Sequence, residues 1–256
     1  MKIAILGAGN MGGAIARGLA QGGLVATKDI TVTNPSVGKL DKLKAEYPEI
    51  NVSTDNSVAS EADMVIIAVK PWKVEEVVKP LHLRRPQIVV SVAAGISFDV
   101  LKEYVDEDMT MFRVIPNTAI SCLASTTLIA ECNASSGQTQ MLLDLFNEMG
   151  LSILIEEKQM TAATALTSCG IAFVLKYVQA AMQAGVEVGI RPKDAMKMLA
   201  QTLDGAAQLL LTDENTHPAI EIDKVTTPGG ITIKGVNQLD HDGFTSAVIN
   251  AVKACM

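Results

Sequence analysis

The stretch that most constrains the fold is the first dozen residues, Met1-Lys2-Ile3-Ala4-Ile5-Leu6-Gly7-Ala8-Gly9-Asn10-Met11-Gly12. Ile3 to Leu6 is an apolar run of strand length, and a helical spacing of apolar residues (Met11, Ile15, Leu19) begins just after it. Gly7, Gly9 and Gly12 stand between the two at G-x-G-x-x-G spacing. In such a strand–turn–helix the first glycine makes the tight turn and the second lets a pyrophosphate approach the backbone. The third lets the helix pack close to the strand. The free N–H groups and dipole of the helix start then face the phosphates. Three glycines alone are a weak pattern, and a ligand-free turn is the competing reading. Between a strand and a helix they predict a dinucleotide site, with Gly7, Ala8, Gly9, Asn10, Met11 and Gly12 as cofactor contacts.

The residues beyond this turn fit the same architecture. Asp29 to Thr33 reads as a second strand whose end should meet the adenosine ribose, where an NAD-preferring site usually places a carboxylate. Here stand Thr33-Asn34-Pro35-Ser36, with Lys39 and Lys42 close behind. Amide and hydroxyl groups can donate to a 2′-phosphate, so Asn34, Pro35 and Ser36 favour NADPH, with NADH as the second option. For the two lysines an ordinary solvated helix face is the competing reading. A short strand at Val52 and an acid-capped helix near Asp55 to Ser60 precede Asp63 to Val69, a continuous apolar run typical of a central parallel strand. It ends at Lys70-Pro71, so Ala68, Val69, Lys70 and Pro71 should line the crevice at the strand's carboxyl end. Gln87 to Ser91 is another buried strand, and the small residues Ala93, Ala94 and Gly95 after it leave room for a flat nicotinamide ring. Thr110 to Val114 is one more strand, and residues near 124–130 and 151–155 read as edge strands around a helix at 136–148. Alternating strands and helices predict a doubly wound parallel sheet.

Beyond Glu156 the strand pattern stops. Helices are expected at 158–168, 170–189, 192–211 and 230–254, with a break near Gly243. The predicted domains are therefore 1–157, a Rossmann-type α/β unit binding NADPH, and 158–256, all helical. Of the 256 residues 48% are apolar and only 4% aromatic. A hundred helical residues rich in Ala, Met and Leu cannot cover every apolar face alone, so this half is expected to self-associate. Gly170 to Ile190 is the longest apolar stretch, but Lys176, Gln179, Gln183 and Glu187 interrupt it, which argues for a core or interfacial helix and against a membrane span. The net charge of −7 carries no like-charge block, which argues against nucleic acid. With a strand expected from residue 3, no signal or transit peptide is expected. The four cysteines form no C-x-x-C pair and no metal grouping with the three histidines. A cytoplasmic protein with reduced thiols and no metal is expected.

The last chemically informative stretch is Thr226-Thr227-Pro228-Gly229-Gly230-Ile231-Thr232. Pro-Gly-Gly makes a tight turn before a helix start, and exposed N–H groups there, flanked by the Thr227 and Thr232 hydroxyls, make a small anion site suited to a carboxylate. A plain helix N-cap is the competing reading.

Across essentially its whole length the chain resembles the pyrroline-5-carboxylate reductases. The matching residues are Gly7 to Gly12, Ala68-Val69-Lys70-Pro71, Ser91-Val92-Ala93-Ala94-Gly95 and Arg113-Val114-Ile115-Pro116-Asn117-Thr118. The most specific match is Thr227-Pro228-Gly229-Gly230-Ile231-Thr232 through Gly243-Phe244 and Ala247-Val248. The resemblance implies an NADPH domain, with Asn117 among its cofactor contacts, and a helical domain that dimerises by interleaving helices, often with higher assembly. It also implies substrate binding at Thr227, Gly229, Gly230, Ile231 and Thr232, with Thr232 near the ring nitrogen as the catalytic candidate. The chain departs from the family at Thr167-Ser168-Cys169-Gly170-Ile171-Ala172-Phe173, where members usually carry Ser-Gly-Ser-Gly-Pro-Ala-Tyr, and at Ile222, which precedes Asp223 where lysine is usual.

The implied reaction is reduction of a small-molecule cyclic imine to L-proline. A protonated imine is strongly electrophilic and needs less acid–base machinery than a ketone, which suits a chain whose His82, His217 and His241 form no catalytic arrangement. One rival is a reductase of another imine or a β-hydroxy acid, for which Lys176 on the long helix would serve as acid or base. Another is a non-catalytic NADPH-binding sensor, favoured only by the altered 167–173 stretch.

Overall fold

Short runs of Ile, Val, Leu and Ala set up the sheet. In the computed structural model, which describes residues 1–213 and 215–256, the chain divides into two units, Met1–Ser168 and Cys169–Met256. The first contains strands β1 (Ile3–Leu6), β2 (Ile30–Thr33), β3 (Asn51–Ser53), β4 (Met64–Ile67), β5 (Ile88–Ser91), β6 (Thr110–Ile115), β7 (Ser125–Cys132) and β8 (Gly150–Leu154). Its helices are α1 (Asn10–Gln21), α2 (Val37–Glu46), α3 (Val74–Val78), α4 (Phe98–Leu101), α5 (Ser136–Asn147) and α6 (Met160–Thr167). The strands form one sheet in the order β3-β2-β1-β4-β5-β6-β7-β8. That is a dinucleotide-fold order: the chain reverses direction across the sheet between β1 and β4, opening a crevice at their carboxyl ends.

Successive strand residues point to opposite faces, so an unbroken apolar strand feeds two cores. Ile3, Ile5, Ile66, Val90, Phe112 and Ile129 join Ile15 and Leu19 of α1 and Leu145 of α5 on one face. Ala4, Leu6, Val65, Ile67, Val89 and Met111 join Val74, Leu101 and Met160 on the other. This is why β1, β4 and β5 read as continuous hydrophobic runs and not as alternating ones.

Three features differ from the sequence reading. The sheet is parallel except at β6 and β7, which run antiparallel (Arg113 opposite Ala130). The segment 116–124 joining them is shorter than the roughly dozen residues a parallel crossover needs, so the chain must turn back. β7 consequently lies inside the sheet, not at its edge, and β8 alone closes that side. The helix expected near 55–60 is a 3-10 turn, Asn56–Glu61, its start held by Asp55, which accepts from the Ser57 N–H at 2.8 Å and from its hydroxyl at 2.6 Å. Those two bonds lower the Asp55 pKa.

The second unit is helical: α7 (Gly170–Glu187), α8 (Pro192–Thr212), α9 (Pro218–Val225), α10 (Ile231–His241) and α11 (Phe244–Lys253). The break expected at Gly243 is present, with φ +76°. The sequence reading missed α9. It is two turns long, opened by His217, whose Nδ1 accepts from the Ala219 N–H at 3.2 Å, and by Pro218, whose fixed φ suits a first helical position. Among the described residues only Ala195 of this unit is buried. The helical run Glu157–Glu187, 31 residues with a mean hydropathy of 1.4 in its most apolar window, is long and apolar enough to cross a bilayer. Lys176, Gln179, Gln183 and Glu187 therefore do not exclude a span by composition alone.

Candidate active site

The glycine turn gives each of its three glycines a separate physical task. Gly7 has φ +109°, and a Cβ there would sit 2.7 Å from the Ala68 carbonyl oxygen, so it makes the turn against the end of β4. Gly12 packs so tightly that a Cβ would collide with the Gly7 carbonyl oxygen and lie 2.9 Å from the Ala68 Cβ. Gly9 faces open space, with nothing within 4 Å of its Cβ position. It is also the N-cap of α1, accepts no side-chain cap, and the first turn of that helix carries no acid. The leading N–H groups of α1, around Asn10 and Met11, are thus left for an anion. The residues present fit a pyrophosphate.

Asn34 is buried at the end of β2, where its Oδ1 accepts from the Ala8 N–H at 3.2 Å and its Nδ2 donates to the Ser36 carbonyl at 3.0 Å. The amide read as a phosphate donor is therefore a brace between the glycine turn and the next loop. Pro35, Ser36 and Lys39 are exposed beside it. Ser36 is the N-cap of α2 without using its hydroxyl as a cap, and the first turn of α2 has no acid.

Ala68, Val69, Lys70 and Pro71 follow β4, the Ala68 N–H bonding to the Leu6 carbonyl at 2.9 Å, with Lys70 exposed. Ala93, Ala94 and Gly95 follow β5, Ala94 and Gly95 exposed and Gly95 at φ +78°. Asn117, after β6, is buried; its Oδ1 caps the Ala119 N–H at 3.0 Å and its own N–H bonds Ser125 Oγ at 3.1 Å. All these loops leave the carboxyl ends of β1, β2, β4, β5 and β6, so the sheet brings the cofactor candidates together at one edge. Sequence reasoning did not assign a role to Arg113 or Glu157, which form an ion pair at 2.7 Å under the same edge. Their 44-residue separation hides them from any local pattern.

The substrate candidates gather in the second unit. The Gly230 N–H bonds to the Thr227 carbonyl at 2.9 Å and Gly229 adopts φ +73°, which closes the Pro-Gly-Gly turn. Gly230 caps α10 without a side-chain bond, and the first turn of α10 has no acid. Thr227, Ile231 and Thr232 are exposed around that bare helix start. In the altered 167–173 stretch, the Ser168 hydroxyl donates to the Pro116 carbonyl at 2.9 Å. Burial and the neighbouring Cys255 thiol push the Cys169 pKa up, which keeps it a neutral thiol.

Comparison with known proteins decides the family. Residues 157–256 match the family model described as pyrroline-5-carboxylate reductase dimerisation, and residues 2–95 match NADP oxidoreductase coenzyme F420-dependent. Pyrroline-5-carboxylate reductase 2 of Dictyostelium discoideum is 37% identical over 269 residues, covering 98% of this chain and 89% of its own length. The chain belongs to the pyrroline-5-carboxylate reductase family. It is a reductase built on a Rossmann-type domain, and its C-terminal helical region is the homo-oligomerising part. Pyrroline-5-carboxylate reductase 1 of the same organism is 36% identical over 98% of this chain, which spans only 48% of that longer relative. Among solved structures, the 1-pyrroline-5-carboxylate reductase of Streptococcus pyogenes superimposes with a TM-score of 0.88 at 30% identity, covering 100% of this chain and 96% of that one. The pyrroline carboxylate reductase of Plasmodium falciparum, with NADP bound, also gives 0.88, at 26% identity and 100% and 95% coverage.

Proposed function

We propose that this chain reduces the cyclic imine L-1-pyrroline-5-carboxylate to L-proline by hydride transfer from NADPH, the final step of proline biosynthesis. The observation that carries the reading is the bare, acid-free start of α10 between Thr227 and Thr232, in a chain of this family. Its free N–H groups at Ile231 and Thr232 donate to the substrate carboxylate, while Gly229 and Gly230 keep side chains out of the way.

NADPH supplies the hydride. The chain's own residues hold and orient the reactants: the N–H groups of Gly9 to Gly12 bind the pyrophosphate, and Asn34 keeps that turn in shape. The Ser36 hydroxyl and the leading N–H groups of α2, with Lys39 nearby, receive the 2′-phosphate. The residues Ala68 to Pro71, Ala93 to Gly95 and Asn117 line the nicotinamide end of the crevice. Domains 1–157 and 158–256 thus divide the work, one binding cofactor and the other binding substrate and a second copy. Most of the acceleration comes from holding the reactants oriented, which removes the entropy cost of bringing them together in solution. The exposed Thr232 hydroxyl hydrogen-bonds the ring nitrogen and passes to it a proton that it takes up in turn from solvent.

The exposed apolar faces of the second unit meet a second copy of the chain and not lipid, forming a homodimer that assembles further. Four free cysteines suit a reducing cytoplasm. Nucleic acid and membrane have no place in this reading.

The test is steady-state oxidation of NADPH, then NADH, by the purified protein with pyrroline-5-carboxylate. Turnover favouring NADPH is expected. Turnover favouring NADH keeps the reaction and removes the role of Ser36, and none with either removes the function.

A further inference from the structure

We propose that Arg113 and Glu157 form a clasp that positions the Ala93–Gly95 loop for hydride transfer. The proposal rests on the reading of that loop as the nicotinamide end of the crevice. Arg113 is 9% exposed on β6, the only charged residue among the buried ones described. Its Nη1 donates to Glu157 Oε1 at 2.7 Å, and that same oxygen accepts the Phe98 N–H at 2.8 Å. Phe98 is the first residue of α4, the helix into which the loop runs.

The loop is therefore pinned at two ends and open between them. At the β5 end, the Val92 N–H bonds the Ile67 carbonyl at 3.0 Å and the Ala93 N–H bonds Ser91 Oγ at 3.4 Å. At the α4 end, Glu157 holds the Phe98 N–H and Ser97 Oγ holds the Val100 N–H at 3.3 Å. Between them Ala94 and Gly95 are exposed and carry only the weak turn bond from the Ile96 N–H to the Ala93 carbonyl at 3.5 Å. Glu157 is 34% exposed and would swing to solvent if nothing fixed it. Arg113 does so through one nitrogen only, its buried Nε having no partner. A buried pair is a poor stabiliser next to apolar packing. The single contact goes to the one oxygen that also holds α4. Arg113 and Glu157 are positioning residues: neither needs to touch cofactor or substrate.

The test uses the whole 256-residue chain as Arg113→Met, Glu157→Ala, Glu157→Gln and the double Arg113→Met/Glu157→Ala. A misplaced nicotinamide slows the chemical step, so Arg113→Met and Glu157→Ala should each lower kcat roughly tenfold. Each should also raise the primary deuterium isotope effect with 4-deuterated NADPH, while the KM for the imine stays within about twofold. Glu157→Gln, whose amide oxygen still accepts from both donors, should lose less than about threefold, and the double variant should be no worse than either single one. Folded variants with an unchanged isotope effect, or losses that multiply in the double variant, overturn the clasp. If Arg113→Met does not fold, the partly exposed Glu157 pair of variants carries the same test. If the wild-type protein turns over no imine, the functional reading fails separately. The clasp is then read from NADPH fluorescence titration, where Glu157→Ala should bind about fivefold more weakly, and unchanged affinity overturns it.

Discussion

The strands β1, β4 and β5 of the first unit are buried along their full length, each feeding apolar side chains to two cores. Among the described residues of the second unit, five helices contribute one buried residue, Ala195, while Leu175, Leu211 and Ile231 are 61%, 70% and 86% exposed. The two regions have similar apolar character in sequence and opposite fates. A parallel sheet is covered by the helices of its own crossovers, so its core closes within one chain. A set of helices with apolar residues on more than one face closes only against something else, and the family match makes that something another copy. Stability of the first unit is thus a property of the chain, and stability of the second a property of the assembly.

The strongest way to break this contrast is Leu175→Glu on α7. The expected outcome is loss of the oligomer by size-exclusion with light scattering and a fall in turnover of about 100-fold or more. NADPH binding by the first unit should persist within about threefold. Loss of NADPH binding as well would mean the first unit does not stand by itself. Gly12→Ala is the reciprocal experiment. Its Cβ cannot fit beside Gly7, so the first unit should lose about 2–4 kcal/mol, seen as a lower Tm, together with NADPH binding. The oligomer should remain.

Within the second unit, Thr232→Ala should reduce kcat roughly tenfold or more with NADPH affinity unchanged; unchanged turnover removes Thr232 from the mechanism. The smallest effect concerns the surface of the first unit. Arg17 grips Glu46 with Nε at 2.5 Å and Nη2 at 3.0 Å, and this hydrogen bonding lowers the Glu46 pKa. A lowered carboxylate pKa stabilises the fold above the unfolded value, about 4.3, and that contribution disappears as pH falls through the folded value. Both partners are partly exposed, so Arg17→Ala should cost under about 1 kcal/mol at pH 7. Its denaturation midpoint should converge on wild type in acid. A difference that persists there would assign the effect to packing of the arginine stem.

The glycine turn was legible because each task of Gly7, Gly9 and Gly12 is set within a few residues by strand, turn and helix geometry. The Pro-Gly-Gly turn before α10 was legible for the same reason. Asn34 shows the limit of such reading. Its residue type fitted a phosphate donor, but its hydrogen bonds go to Ala8 and Ser36, and only the approach of two loops decides that. The short helix α9 escaped because two turns give too little periodicity, and its start depends on a histidine cap that is uncommon among N-capping residues.

By itself the sequence determined many of the local pieces of this protein: the apolar runs that become strands, the turns at Gly7 to Gly12 and Pro228 to Gly230, and the starts of the long helices. Those follow from periodicity and turn chemistry, which act over a few residues. The reversal of β7, its place inside the sheet and the junction of Arg113, Glu157 and Phe98 were decided by tertiary structure. Each depends on groups tens of residues apart, brought together only once burial of both sheet faces has selected one register.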